Sequence, residues 1–186
     1  NHWLNQTTNI FSQTTSFLHP LLFKNFSMKL IRNLTEFPES LRGGALTIGN
    51  FDGVHRGHQV IIDQLKQFAS RDGSAAIVFT FDPHPVRILR PDQTPPPLTW
   101  TNRKADLLAD LGVDAVIAYP TNRALLELSY RDFFKQIVVE KLAAKAMVEG
   151  PNFYFGRGRE GTVDRLSELC RESSVKLQIV EPKLES

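Results

Sequence analysis

The sequence contains a single cysteine, Cys170, and no long hydrophobic run among its 186 residues. A lone cysteine excludes an internal disulfide framework and is typical of a reducing compartment. No segment approaches the roughly 20 apolar residues that a membrane-spanning helix needs. We therefore expect a cytoplasmic protein without a membrane partner.

A surplus of charge of either sign is also missing, since 22 basic and 20 acidic residues leave a net charge of +2. That balance argues against a dedicated nucleic-acid-binding protein. Hydrophobic residues make up 41% and charged residues 23%, which is the composition of an ordinary globular domain. The length is sufficient for one well-buried domain but not for two of ordinary size.

Acidic residues are absent from the first 27 positions, and no Lys or Arg precedes Lys24. The same stretch is rich in Asn, Thr, Ser and Gln, and the first methionine is Met28. Its apolar segment 17–23 is interrupted by a histidine and a proline and lacks the basic leading region of a secretory signal. We expect residues 1–27 to be a disordered or non-native extension that precedes the folded domain.

Short apolar runs alternate with segments of helical periodicity along residues 28–186. The runs predict five buried strands, at 44–49, 74–81, 114–119, 145–149 and 175–180. Helical spacing of apolar residues predicts helices between them, over 58–70, 101–111, 129–138 and 162–170. Alternation of this kind requires crossover connections. The sequence therefore predicts an α/β fold: a Rossmann-like, doubly wound, parallel five-stranded sheet with helices on both faces.

Three loops that follow predicted strands are the passages richest in Gly, Pro, His and Asn: 50–57, 82–97 and 150–161. In parallel α/β sheets, ligands collect outside the carboxyl ends of the strands, near the point where the strand order reverses. We therefore expect these loops to carry the functional site.

The most specific motif is His55-Arg56-Gly57-His58, which follows a glycine-bounded strand and opens a helix. Its two imidazoles can face one point if Gly57 brings the backbone close to a ligand. The helix start offers unpaired N–H groups and the positive end of its dipole to the same point. The pattern predicts binding of a nucleoside triphosphate and stabilisation of negative charge at phosphorus. A surface histidine pair is one alternative, and a metal site is another, although no further cluster with ligand spacing lies nearby.

The other two loops carry further candidates. Pro83-His84-Pro85 holds an imidazole between two rigid residues, so little ordering entropy is left to lose on binding. The alternative there is an ordinary turn with a surface histidine. Asn152 precedes three aromatic residues at 153–155, for which the alternative is packing in the core.

Taken together, three motifs in order resemble one known family: 49–58, 80–85, and 150–156 followed by Gly161. Residues 28–186 resemble the N-terminal FMN adenylyltransferase module of the prokaryotic bifunctional riboflavin kinase/FAD synthetase. That module belongs to the nucleotidylyl transferase superfamily, whose signature is His-x-Gly-His. The resemblance implies FAD biosynthesis, in which ATP and FMN give FAD and diphosphate, with Mg²⁺ accompanying ATP.

The resemblance also implies a role for each motif. His55 and His58 would be catalytic and contact the ATP phosphates, with no metal site on the protein itself. The remaining ATP-binding residues implied are Gly49, Asn50, Phe51 and Gly57. The residues that would border or orient the flavin nucleotide are Pro83, His84, Pro85 and Asn152.

The chain ends at Ser186, before the Ser/Thr-rich motif with which the family completes its triphosphate site and before the riboflavin kinase barrel. We therefore expect residues 28–186 to be an FAD synthetase domain truncated at its C-terminal end, with a linked kinase domain missing from this chain. Two alternatives stay open. One is another His-x-Gly-His nucleotidylyltransferase with a different acceptor, and the other is an inactive fragment that binds nucleotide or flavin.

Overall fold

The computed structural model describes residues 28–94 and 96–181. The extension predicted for residues 1–27 lies outside the described residues. A single parallel sheet of six strands runs through the described part, in the spatial order β1-β4-β3-β2-β5-β6. Its strands, in chain order, are β1 Lys29–Ile31, β2 Ala45–Ile48, β3 Ala76–Asp82, β4 Ala115–Pro120, β5 Ala146–Glu149 and β6 Lys176–Ile179.

Helices connect these strands along the chain. They are α1 Arg56–Asp72, α2 Pro85–Leu89, α3 Thr101–Asp110, α4 Arg123–Leu126, α5 Tyr130–Phe133, which continues as a π-helix over Phe134–Lys141, and α6 Val163–Glu172. Short 3-10 turns occur at Glu39–Leu41, Asp52–Val54, Pro91–Gln93 and Arg157–Arg159. None of the helices in the described part of the chain is long and apolar enough to cross a membrane.

The predicted α/β class with a parallel, doubly wound sheet is confirmed, but the predicted count of five strands was wrong. The sixth strand, β1, is an edge strand of three residues that pairs with β4. None of its side chains is fully buried. A strand this short and this exposed has neither the apolar run nor the alternation that would mark it in the sequence.

Side chains of the strands alternate between two apolar layers, as the two-residue period of a strand requires. On one face, Ile48 and Phe79 pack with Phe133 and Leu166 from α5 and α6. The opposite layer contains buried side chains of the strands together with those of α1 and α3, namely Ala45, Val78, Val116, Ile62, Leu65 and Leu108. The sheet is therefore covered by helices on both faces, as predicted.

The order of the strands reverses beside β2. The chain moves from β2 to β3 to β4 in one direction, and β5 and β6 lie on the other side of β2. β2 and β5 pair through only two positions, Ala45 with Ala146 and Leu46 with Met147, whereas β2 and β3 pair through four. Because β2 and β5 separate at their carboxyl ends, a crevice opens at this topological switch point.

Candidate functional site

The crevice between β2 and β5 forms a cleft of about 700 Å³. The first turns of α1 form one wall, and the loop after β5 forms another. Six of the residues singled out in the sequence line it: Gly49, Phe51, His55, Gly57, His58 and Asn152. The structure therefore brings the first and third motifs together at the position where parallel α/β sheets bind ligands.

The turn between β2 and α1 is held in an unusual backbone conformation. Phe51 and Val54 have φ values of 48° and 44°, in the left-handed region that β-branched and bulky residues rarely adopt. The Asp52 carboxylate fixes this turn by accepting hydrogen bonds from the backbone N–H groups of Leu98 and Thr99, at 3.1 and 2.9 Å, and from the Thr99 hydroxyl. Burial raises the pKa of Asp52, but these hydrogen bonds outweigh it and the net pKa lies below its usual range.

The two imidazoles of the motif lie against each other. The ring centroids of His55 and His58 are 3.7 Å apart with 22° between the planes, and Phe51 also packs against His58, with its ring centroid 4.8 Å from that of the imidazole. Phe51 is only 2% exposed. The His58 ring is therefore held between a fixed aromatic side chain and a second imidazole, so both imidazoles are presented to the cleft as a pair.

Two glycines of the turn lie close to neighbouring side chains. A Cβ atom on Gly57 would lie 3.2 Å from Cε1 and Nδ1 of His55, and one on Gly49 would lie 3.1 Å from the Phe51 ring. Distances this short force the neighbouring side chain to move. The sequence argument that Gly57 serves a close approach thus has a specific partner, the ring of His55.

His58 is electrically neutral near pH 7. Burial, followed by the positive charges of His55 and Lys104, lowers its pKa to about 4, although Asp52 acts in the opposite direction. Its Nδ1 atom is buried and has no hydrogen-bond partner among the described residues. A neutral imidazole still donates one N–H hydrogen bond. His58 can therefore stabilise developing negative charge by donating a hydrogen bond while it carries no charge itself.

The start of α1 adds further donors to the same wall. His55 occupies the N-cap position and makes no side-chain hydrogen bond to the first turn of the helix. Amide groups in a first helical turn have no partners within the helix, and the helix dipole places partial positive charge there. The 17-residue α1 can thus offer its N-terminus to an anionic group in the cleft.

Glu149 is a cleft residue that sequence reasoning missed. It ends β5, lines the base of the cleft and is 2% exposed. Its carboxyl group accepts a hydrogen bond from the backbone N–H of Ile48 at 2.8 Å and a longer one from the Thr47 hydroxyl at 3.4 Å. Burial raises the pKa of Glu149 well above its usual range, although these hydrogen bonds oppose that shift. Because its pKa is raised, the Glu149 carboxyl group is less readily ionised than an ordinary glutamate and so repels an anionic ligand less.

The second motif lines a separate pocket of about 190 Å³. Pro83 and His84 line it with Asp52, and the peptide bond before Pro83 is cis. His84 accepts a hydrogen bond at Nδ1 from the backbone N–H of Val86 at 3.1 Å, which orients its ring at the start of α2. Burial, then Lys104, lowers the pKa of His84. Pro85, the first residue of α2, does not line this pocket.

The residues predicted to orient the flavin thus lie in two places. Asn152 lines the cleft, whereas Pro83 and His84 line the pocket. Asn50 lines neither. Its backbone carbonyl accepts hydrogen bonds from Lys104 Nζ at 2.6 Å and from the Thr80 hydroxyl at 3.0 Å. Its side-chain Oδ1 is buried without a hydrogen-bond partner among the described residues. Asn50 therefore lies in the wall between cleft and pocket.

Metal ligation was an alternative for the histidine pair. Within residues 28–94 and 96–181, no three or more His, Cys, Asp or Glu side chains are grouped so that they could hold a metal ion. Stacked rings and a neutral His58 are instead suited to hydrogen bonding with an oxyanion.

The sequence matches a known protein-family model over residues 37–186, and that family is described as FAD synthetase. The chain is also similar to the bifunctional riboflavin kinase/FMN adenylyltransferase of Escherichia coli (strain K12), with 38% identity over 137 residues. The corresponding protein of Pseudomonas fluorescens is 37% identical over 139 residues. These alignments cover 72% and 75% of this chain but 43% and 44% of the relatives. The chain therefore spans less than half the length of the curated relatives it matches.

Among solved structures, the fold is similar to a crystal structure titled as a macrolide-efflux protein from Streptococcus pneumoniae. The TM-score is 0.71, and the alignment covers 86% of this chain and 52% of that one. Sequence identity is 21%, so this likeness supports the fold alone.

Proposed function

The chain belongs to the FAD synthetase family, and from that premise we propose that it is the FMN adenylyltransferase module of its protein. The reaction proposed is ATP plus FMN to FAD plus diphosphate. One observation carries the proposal: two stacked imidazoles, at 3.7 Å, and an uncapped helix N-terminus share a wall of the cleft at the switch point. Such a wall suits a polyanion whose charge increases during the reaction.

In this proposal the triphosphate of ATP lies along the start of α1, in the cleft with Gly49, Phe51 and Gly57. An oxygen of the FMN phosphate attacks the α-phosphorus, and the bond from that phosphorus to the bridging oxygen of the β-phosphate breaks. Diphosphate leaves and carries the electron pair of that bond. His58 donates a hydrogen bond to the α-phosphoryl oxygens, where charge accumulates, and His55 does the same from its stacked position. Catalysis then consists of positioning and electrostatic stabilisation.

The acceptor is proposed to occupy the pocket of Pro83 and His84, across the wall formed by Asn50, with Asn152 reaching the nucleotide from the cleft side. Mg²⁺, when bound, would screen the charge of the phosphates. We propose that Mg²⁺ enters the cleft bound to the triphosphate.

We further propose that a riboflavin kinase domain is linked to this module in the complete protein. The support is that the curated relatives carry both activities in their names and are more than twice as long as the segment matched here.

The assay that tests the proposed function mixes ATP with FMN, and in parallel with cytidine triphosphate and with other phosphorylated acceptors, and measures diphosphate and FAD. We expect diphosphate release only with ATP and FMN together, with FAD formed in equal amount. Release with another acceptor would assign the module to a different nucleotidylyltransferase. Flavin fluorescence quenching without diphosphate release would mark it as a binding module instead.

Replacement of His58 by Ala tests the role of the imidazole. Loss of one preorganised donor to a developing oxyanion typically lowers kcat by about 10²- to 10³-fold. We expect a fall of that order for His58→Ala, with the KM for FMN little changed because FMN is placed in the other pocket. Unimpaired FAD formation by this variant would contradict the assignment.

A further inference from the structure

Lys104 is a buried cation whose described hydrogen-bond partners are all uncharged. It lies on α3 and is 8% exposed. Its Nζ atom donates hydrogen bonds to the carbonyl oxygen of Asn50 at 2.6 Å and to the hydroxyl of Thr80 at 3.4 Å. An ammonium group has three N–H donors. One donor of Lys104 is thus left without a partner among the described residues.

Burying a charge is costly unless an opposite charge compensates it. No carboxylate of the described residues lies within ion-pairing distance of Lys104. The two acidic groups that act on it electrostatically are Asp52 and Asp82. Asp52 accepts hydrogen bonds from the segment 98–99, and Asp82 accepts them from Arg32 at 3.2 Å and Thr101 at 2.6 Å. Both carboxylates accept hydrogen bonds from other groups, and burial lowers the pKa of Lys104 in spite of their attraction, so its positive charge is only partly compensated among the described residues.

The position of this charge is informative. Lys104 lines the pocket that contains Pro83 and His84. Through the carbonyl of Asn50 it also holds the turn whose neighbouring residues, Gly49 and Phe51, line the cleft. It further lowers the pKa values of both His58 and His84, so it lies within electrostatic reach of one imidazole from each site. Lys104 therefore stands where pocket and cleft meet.

We propose that the Lys104 ammonium receives the phosphate monoester of the acceptor and positions it beside the ATP turn. This inference rests on the proposed function and adds to it a residue that determines specificity for a phosphorylated flavin over riboflavin. A phosphate dianion in the pocket would take the third N–H of Lys104 and supply the missing counter-charge. Charge-assisted hydrogen bonds of this type are about twice as strong as neutral ones.

The test uses steady-state FAD formation by the full-length protein and its Lys104→Met and Lys104→Gln variants. The KM for FMN is measured, together with the inhibition constant against FMN of lumiflavin, which lacks the phosphate and has no ribityl hydroxyl that a linked kinase domain could phosphorylate. Removal of one charged hydrogen bond should raise the KM for FMN by about ten- to a hundredfold. The inhibition constant of lumiflavin and the KM for ATP should stay within about twofold of the wild-type values. Lys104→Arg, which keeps the charge, should restore most of the FMN preference.

Lys135→Met serves as the matched control, because Lys135 is exposed on the π-helix and pairs only with Glu140 at 3.9 Å among the described residues. It should leave all three constants unchanged. A purely structural role for Lys104 would weaken FMN and lumiflavin binding equally and lower the unfolding temperature, which would overturn the proposal. Complete loss of turnover in both uncharged variants, with an unchanged unfolding temperature, would place the charge in the chemical step and would also overturn it. Absence of FAD formation by the wild-type protein would instead contradict the proposed function itself.

Discussion

Gly57 and Gly73 stand near opposite ends of α1, and replacing each by Ala should separate stability from activity. Gly57 lies in the first turn, where its Cβ would meet the His55 ring at 3.2 Å. Gly73 is the C-cap, with a φ of 63°, and a Cβ added there would have no other atom within 4 Å. The two substitutions are chemically identical, but one meets a side chain of the site and the other meets only a backbone constraint.

The two substitutions should change the free energy of unfolding in opposite directions. Ala is favoured over Gly within a helix by about 0.5–1 kcal/mol. His55 is exposed and can yield by the few tenths of an ångström that the new contact requires. The free energy of unfolding of Gly57→Ala should therefore rise by about 0.5 kcal/mol. Gly73→Ala forces a left-handed φ on a residue with a Cβ, which should lower that free energy by about 1 kcal/mol.

The expected effects on kcat do not follow stability: Gly57→Ala should lower kcat, and Gly73→Ala should leave it unchanged. In Gly57→Ala the displaced His55 ring no longer stacks on His58 at 3.7 Å, and the new methyl group narrows the path of a phosphate to the helix start. A misplacement of about 1 Å in a positioning group can cost about a hundredfold in rate, so a few tenths of an ångström should cost about tenfold in kcat. Gly73→Ala should leave kcat unchanged because it lies at the far end of α1.

Urea unfolding monitored by circular dichroism gives the stability change, and FAD formation gives kcat, for both variants in the same buffer. The result that refutes the reasoning is a Gly57→Ala protein that is more stable and fully active. It would mean that neither the position of His55 nor the close approach at Gly57 is used in the reaction. A Gly57→Ala protein less stable than Gly73→Ala would refute the claim that the His55 ring yields easily.

Two further predictions concern titratable groups whose pKa values are shifted by burial. Glu149→Ala should lower the free energy of unfolding by about 1–3 kcal/mol because the Ile48 N–H loses its acceptor, whereas Glu149→Gln keeps that acceptor. Since the pKa of Glu149 is raised on folding, its contribution is present below about pH 4.5 and is lost as the pH rises towards the folded pKa. Urea unfolding should therefore show Glu149→Gln gaining stability relative to wild type as the pH rises above about 4.5, and a constant difference would contradict the burial argument. The lowered pKa of His58 has the opposite consequence, a loss of stability as the pH falls from about 6.5 to about 4. An NMR titration of its imidazole should have a midpoint near pH 4, and a midpoint near 6.5 would show that the ring is solvated.

Much of the fold could be predicted because its strands are buried on both faces. Continuous apolar runs such as 76–79 and 115–118 are the direct consequence of covering a sheet with helices on both sides. The family resemblance drawn from three motifs is likewise confirmed. The edge strand β1 has no such run, so its pairing with β4 depends on tertiary structure that the local sequence does not encode.

The division of the site into two compartments could not be predicted from the order of the loops along the chain. The loop after β3 and the loop after β5 both leave carboxyl ends, but β2 lies between these two strands. His84 and Asn152 therefore line different compartments. The spatial order of strands is set by how the crossovers pack, and the sequence reports only the order of connection.

Lys104 and Glu149 were missed for a related reason. A lysine on an amphipathic helix and a glutamate at a strand end are solvated in most proteins, so their residue types alone predict exposure. Here α3 packs beside the turn of Asn50 and buries Lys104, and the Glu149 carboxyl group is buried against the backbone of β2, where it accepts a hydrogen bond from the Ile48 N–H. The one local indication was that Glu149 interrupts an apolar strand at the residue before the third loop.

A crystal structure of the full-length protein with a non-hydrolysable ATP analogue and FMN tests the central claim most directly. We predict that the α-phosphate lies within hydrogen-bond distance of the His58 imidazole and of a first-turn amide of α1, with the triphosphate in the cleft between β2 and β5. A triphosphate bound elsewhere, with the His55 and His58 rings still stacked and free of phosphate, would contradict the account.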